Sequence, residues 1–164
     1  MEAHINSVLL DTSFFIRLLN PGYSEHQNAK DYFKYFLEQR INIKCSTISV
    51  AEYCVKGAIE ELPLKNVQLM PFNFNHAIVA GKFAGIIFSK RSQLEIKDRK
   101  IIPNDTKLLA QAESEPDIDA FVTADTELIK KLYFPLNEEN YLSFKIIDIH
   151  QPYGECFGIL PLKL

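Results

Sequence analysis

The chain has 164 residues, of which 47% are hydrophobic and 24% are charged, and its formal net charge is −3. This length and composition are typical of one globular domain with a substantial core. The negative balance argues against a protein that coats nucleic acid through its overall charge, although it is compatible with a local basic patch. Three cysteines without a C-x-x-C pair indicate reduced thiols.

In chain order, the hydrophobic pattern predicts a buried strand at residues 8–10, helices at 12–20 and 24–40, a strand at 41–46 and a helix at 46–62. A loop at 62–74 is followed by a helix at 75–93 and a charged connection at 94–102. The remaining elements are a helix at 104–114, a strand at 118–124, a helix at 125–133 and a strand at 144–149.

This alternation of strands and helices predicts an α/β protein, a three-layer α/β/α sandwich with a central parallel sheet. Residues 1–150 form the predicted domain, and residues 151–164 form a C-terminal tail. The start, MEAHINSVLL, lacks the features of a signal peptide, and the most apolar window is too short to span a membrane. We therefore expect a cytoplasmic protein without a membrane partner.

Carboxylates lie at or near the starts of the helices that follow predicted strands and connections, at Asp11, Glu52, Asp105 and Asp125. Each has a structural explanation, because acids are favoured at helix N-termini. Ser49 and Glu52, for example, match a capping box. Parallel strands, however, bring their carboxyl ends to one edge of the sheet, where ligands bind and where several acids repel one another. Such a set favours a site for a hard cation, Mg²⁺ or Mn²⁺.

Four sequence segments resemble PIN-domain nucleases, especially the VapC-like toxin ribonucleases of toxin–antitoxin pairs. They are VLLDTSFF, STISVAEY, PNDTKLLAQA and DAFVTADTEL, in the order found in that family, and the resemblance covers residues 7–150. It implies a PIN-like fold, a metal-dependent endoribonuclease activity, an RNA substrate and a cognate antitoxin protein. The charged segment before Asp105 and the tail after His150 depart from the family pattern.

The resemblance also implies the role of each acid. Asp11 and Asp105 are the expected direct metal ligands, Asp125 binds the metal directly or through water, and Glu52 either ligates it or orients the attacking water. The expected supporting hydroxyls are those of Thr12, Ser13 and Thr123. All four acids count as catalytic in this interpretation.

Basic residues outside the acidic set are candidates for RNA contacts: Arg17, Lys97, Arg99 and Lys100. A solvated surface is the alternative for each, because the charges in the 90–100 segment are mixed. The aromatic run DYFKYFLEQR indicates mainly core residues, with a homodimer or partner groove as the alternative. The alternatives to a toxin are a housekeeping RNA-processing nuclease and a catalytically silent PIN fold that binds a protein. A phosphatase is disfavoured because Asp11 lacks a D-x-D-x-T setting.

Overall fold

The computed structural model describes residues 4–90 and 101–159, with the backbone alone at 101–103. A five-stranded sheet in the order β3-β2-β1-β4-β5 lies at its centre, and each neighbouring pair is parallel. The strands are β1 (Ser7–Leu10), β2 (Asn42–Ser46), β3 (Gln68–Met70), β4 (Ala120–Thr123) and β5 (Lys145–Asp148). The chain runs from β1 outward to β3 and then returns to β4, so β1 and β4 flank the switch point where open α/β sheets bind ligands.

Helices cover both faces of the sheet. They are α1 (Thr12–Leu19), α2 (His26–Glu38), α3 (Thr47–Tyr53), α4 (Phe74–Ser89), α5 (Ile101–Ser114), α6 (Thr126–Leu128), α7 (Phe134–Glu138) and α8 (Tyr153–Cys156). Two short 3₁₀ turns, Ile59–Glu61 and Leu64–Asn66, precede β3, and a π-helical turn, Ile129–Tyr133, joins α6 to α7.

The core lies on both sides of the central strands. All four residues of β1 are buried, as are those of β4. Because side chains alternate along a strand, Leu9 packs in one cluster with Phe83 of α4, whereas Leu10 packs in the other with Phe36 of α2. Strands buried on both faces are typical of a parallel sheet between helical layers. The predicted three-layer α/β/α sandwich is confirmed.

Two predictions between residues 46 and 74 were wrong. The helix predicted over 46–62 ends at Tyr53, and a strand, β3, lies within the predicted loop. β3 has only three residues, and it pairs with β2 alone. A short edge strand gives too little alternation to be recognised in the sequence, and its formation depends on the neighbouring strand.

The helix expected to open after Pro103 includes that proline, since α5 spans Ile101–Ser114. A proline in a first helical turn lacks only an N–H that has no intrahelical acceptor. The helix predicted over 125–133 is interrupted by the π-helical turn after Leu128 and is followed by α7, which was not predicted.

The aromatic run in α2 packs within the chain itself. Tyr32 and Phe36 are fully buried. Tyr35 packs against Phe157, with ring centroids 4.6 Å apart, and against Tyr153. The Tyr32 hydroxyl also donates a hydrogen bond of 2.8 Å to the carbonyl of Gln151. Tyr32, Tyr35 and Phe36 therefore all contact aromatic side chains of the C-terminal segment.

Among the described residues, none of the helices combines the length and the apolar character needed to cross a bilayer.

Candidate active site

Asp11 lies at the junction of β1 and α1. Its main-chain N–H donates to the carbonyl of Val122 in β4 at 3.1 Å, and its side chain caps α1 by accepting from the Ser13 N–H at 2.5 Å. The Ser13 hydroxyl donates to the other carboxylate oxygen at 3.0 Å, and the Thr123 hydroxyl donates to the same oxygen. Asp11 is therefore a helix cap whose carboxylate is also held by two side chains.

Burial dominates the electrostatics of Asp11, which is only 4% exposed. Burial raises the pKa of Asp11 to about 6; hydrogen bonds from Thr123 and Ser13 oppose this rise, and the charge of Asp125 adds to it. A buried carboxylate is costly unless it is hydrogen-bonded or paired with a cation.

Ser13 and Thr123 join the ends of β1 and β4. Their hydroxyl oxygens are 3.1 Å apart, the Ala124 N–H donates to Ser13 Oγ at 2.8 Å, and the Asp125 N–H donates to Thr123 Oγ1 at 2.9 Å. Two of the three predicted supporting hydroxyls thus donate to Asp11. They fix the carboxylate relative to the chain that carries Asp125.

Asp125 follows β4 and caps α6. One of its carboxylate oxygens accepts from the N–H groups of Glu127 and Leu128, at 2.9 and 3.1 Å. The cap explanation is correct here too. It leaves the second oxygen of Asp125 outside the cap.

Glu52 has a different position from the predicted one. It lies in the last turn of α3, and Ser46, rather than Ser49, is the N-cap, so the expected capping box is absent. Both carboxylate oxygens of Glu52 are instead engaged at the sheet edge. Oε2 accepts from the Thr12 hydroxyl, and Oε1 accepts from the Asn104 side-chain amide at 2.9 Å.

Asn104 was missed by the sequence interpretation. In the motif PND, the aspartate was a candidate site residue, whereas nothing in the sequence distinguishes the asparagine before it. Only the folded structure shows that its amide reaches Glu52.

Asp105 is the acid most strongly perturbed by its neighbours. Its pKa is raised to about 8, mainly by burial and also by the charges of Asp11, Asp125 and Glu52, in that order. Interactions between charges weaken with distance and with exposure to water. The effect of the other three charges on the pKa of Asp105 therefore indicates that the four acids lie close enough to interact electrostatically. The fold therefore brings together the four carboxylates singled out in the sequence.

The donor set at this edge consists of carboxylate and hydroxyl oxygens, the chemistry that suits a hard divalent cation. Within residues 4–90 and 101–159, however, no three His, Cys, Asp or Glu side chains form a ready-made metal-binding group. Asp11, Glu52 and Asp125 direct oxygens to protein donors.

Of the candidate RNA-binding residues, Arg17 lies in the described part of the chain. The Arg17 guanidinium stacks over the Tyr23 ring, 4.3 Å from its centroid, a geometry typical of a cation–π contact. Lys97, Arg99 and Lys100 lie outside the described residues. Asp119 accepts from the N–H groups of Asn6 and Ser7 at the opposite end of β1.

Comparisons with known proteins support the fold. The sequence matches no protein-family model and no curated protein. The structure is similar to a chain of a DNA-bound VapBC crystal structure from Salmonella typhimurium, with a TM-score of 0.55, 15% identity, and coverage of 88% of this chain and 99% of that one.

A second similar structure is a Mycobacterium tuberculosis VapC toxin described as cleaving the sarcin–ricin loop. Its TM-score is 0.48 at 14% identity, with coverage of 74% of this chain and 92% of that one. At such low sequence identity, similarity to a solved structure shows the fold alone. The Salmonella similarity, the parallel sheet and the helical layers agree on that architecture. The chain thus has the VapC-like PIN-domain fold that its sequence predicted.

Proposed function

We propose that this protein is an endoribonuclease that hydrolyses RNA phosphodiester bonds with the help of Mg²⁺ or Mn²⁺. The observation that carries the proposal is the electrostatic coupling at the sheet edge, where the pKa of Asp105 is raised by burial and by the charges of Asp11, Asp125 and Glu52. Helix capping explains the position of a single acid. It gives no reason for Asp105 to lie near three other carboxylates. Clustered perturbed acids are typical of functional sites.

Asp11, Asp105 and Asp125 are the proposed ligands, because they belong to the cluster and carry oxygen donors suited to a hard cation. When bound, the cation supplies Lewis acidity towards a phosphodiester and increases the acidity of water. The chain's own side chains position this set. Ser13 and Thr123 hold Asp11, while Thr12 fixes Glu52 beside the ligands. Phosphoryl chemistry of this kind depends on positioning and charge stabilisation, without a protein nucleophile.

A toxin paired with an antitoxin is the proposed biological setting. The similar Salmonella structure is a VapBC complex bound to DNA, which supports a protein partner for a chain of this fold. The proposal includes a cytoplasmic location and an RNA substrate. A catalytically silent PIN fold is disfavoured because all four acids are present and electrostatically coupled.

The proposal is tested with purified protein on a panel of structured and single-stranded RNAs, in Mn²⁺, in Mg²⁺ and with chelator. We expect cleavage that requires a divalent cation and that falls by about 10²-fold or more in Asp105→Asn. The matched control is Asp119→Asn, which changes an acid at the opposite end of the sheet. Cation-independent cleavage, or equal loss in both variants, contradicts the assignment.

The toxin setting has its own test. We expect expression of the chain to arrest growth, and co-expression of a small DNA-binding protein encoded beside it to relieve the arrest. Growth that is unaffected by expression, combined with cation-dependent RNA cleavage in vitro, supports the housekeeping nuclease instead.

A further inference from the structure

Glu52 is held by two different parts of the chain. Thr12, the first residue of α1, donates to Oε2, and Asn104 of α5 donates to Oε1 at 2.9 Å. An ionised carboxylate is an acceptor only, so one donor on each oxygen restricts both its position and its rotation. Hydrogen bonds to a charged acceptor are also stronger than those between neutral groups.

The position of Asn104 next to Asp105 gives this hydrogen bond its significance. Successive residues of an α-helix project about 100° apart, so neighbouring positions reach different groups around the same end of the helix. Here one residue binds Glu52, and the next lies in the field of the acidic cluster. A displacement of α5 would therefore move a cluster acid and the donor on Glu52 together.

The chemistry of the asparagine suits a site that must attract a cation. A lysine or arginine at this position would also donate to Glu52, but its positive charge would compete with a metal ion. The amide supplies a directed donor and leaves the negative charge of the cluster unchanged. With one protein donor on each oxygen, Glu52 keeps a defined orientation at this edge of the sheet.

We propose that Asn104 is a positioning residue of the nuclease site, which acts through Glu52 by fixing the orientation of that carboxylate. This inference rests on the proposed function. Residues that orient the groups around a metal typically change metal affinity or activity by about 10–100-fold when removed. Loss of the Asn104 donor frees one oxygen of Glu52 and lets the carboxylate rotate.

The test is Asn104→Leu, which keeps a side chain of similar size and removes the donor, with Asn104→Ala as a second variant. Mn²⁺ affinity is measured by titration calorimetry, and cleavage is measured as kcat and KM. We expect an altered Mn²⁺ affinity and a kcat lowered by about 10–100-fold, with little change in KM for RNA. The matched control is Asn28→Ala, because Asn28 donates an equally long hydrogen bond, 2.9 Å, to the carbonyl of Ile149.

A double-mutant cycle separates action through Glu52 from a general structural effect. In a Glu52→Gln background, we expect Asn104→Leu to change Mn²⁺ affinity little further, because its target carboxylate is already gone. Additive effects, or an affinity and kcat equal to those of the parent, overturn the inference while leaving the nuclease proposal intact. A parent protein that neither binds Mn²⁺ nor cleaves RNA overturns both.

Discussion

The hydroxyl of Thr123 donates a hydrogen bond to the carboxylate of Asp11, which lies 112 positions earlier in the chain. β1 and β4 are neighbours in the sheet, so the end of one strand supplies the acid and the end of the other supplies its donor. The same Thr123 oxygen accepts the Asp125 N–H at 2.9 Å. One hydroxyl thus links two acids of the proposed site.

Thr123→Val removes this link and keeps the shape of the side chain. The hydrogen bond from Thr123 lowers the pKa of Asp11, so its loss raises that pKa. We expect the acidic limb of the rate–pH profile to move to higher pH, and stability to fall by about 1–3 kcal/mol because the Asp125 N–H loses its acceptor. Thr123→Ser keeps the hydroxyl and serves as the control. A profile that is identical in the valine and serine variants contradicts the assigned role.

Asp11→Asn distinguishes a cap from a metal ligand. Asparagine caps helices about as well as aspartate, so the helix itself tolerates the change. A cation that binds only the folded state adds about 2.7 kcal/mol of stability at a hundredfold excess over its Kd. We expect the variant to be at least as stable as the parent without metal, and to lose most of this gain and nearly all cleavage with metal. Near-parent cleavage in Mn²⁺ would show that the carboxylate is only a cap.

The metal-free protein is expected to lose stability as the pH rises. The pKa values of Asp11 and Asp105 are raised from 3.8 to about 6 and about 8. The folded chain therefore binds these protons more tightly than the unfolded chain. Their stabilising contribution is complete below about pH 4 and is lost as the pH passes through the two folded values.

This trend is measured as the melting temperature between about pH 5 and pH 9 in the presence of chelator. The slope should be flatter in Asp105→Asn, which has no proton to lose there. Excess Mn²⁺ should oppose the decline, because it binds the ionised acids. A metal-free melting temperature that rises steadily over this range contradicts the assigned shifts.

Lys44 provides a prediction away from the proposed site. It is 6% exposed within the sheet, and its ammonium group pairs with Asp117. Asp117→Asn leaves the buried Lys44 charge unpaired, so we expect it to lower the free energy of unfolding by about 1–3 kcal/mol. Lys44→Met leaves only Asp117, whose side chain is 58% exposed, so we expect that variant to be neutral or stabilising. The control is Lys34→Met, since Lys34 pairs with Glu38 at 3.7 Å on the surface, where such pairs contribute little. Chemical denaturation gives all three values.

The sequence predicted the parts of the fold that depend on strong local patterns. The apolar run of β1, the alternation of strands and helices, and the acids after β1 and β4 all follow from local patterns in the sequence. β3 was missed because its formation depends on pairing with β2. Asn104 was missed for a related reason, because its contact with Glu52 links residues 52 positions apart and has no local signature.

The strand order also constrains how the site can form during synthesis. β1 is made early, but its second neighbour, β4, comes from residues 120–123. Until that segment leaves the ribosome, β1 has one open edge, and Asp11 lacks both the Thr123 donor and the neighbouring Asp125. Because such non-local strand pairing forms late, the acids of this sheet edge remain separated in the nascent chain for most of translation. The parallel topology therefore delays assembly of the acidic cluster until more than two thirds of the 164 residues have been made.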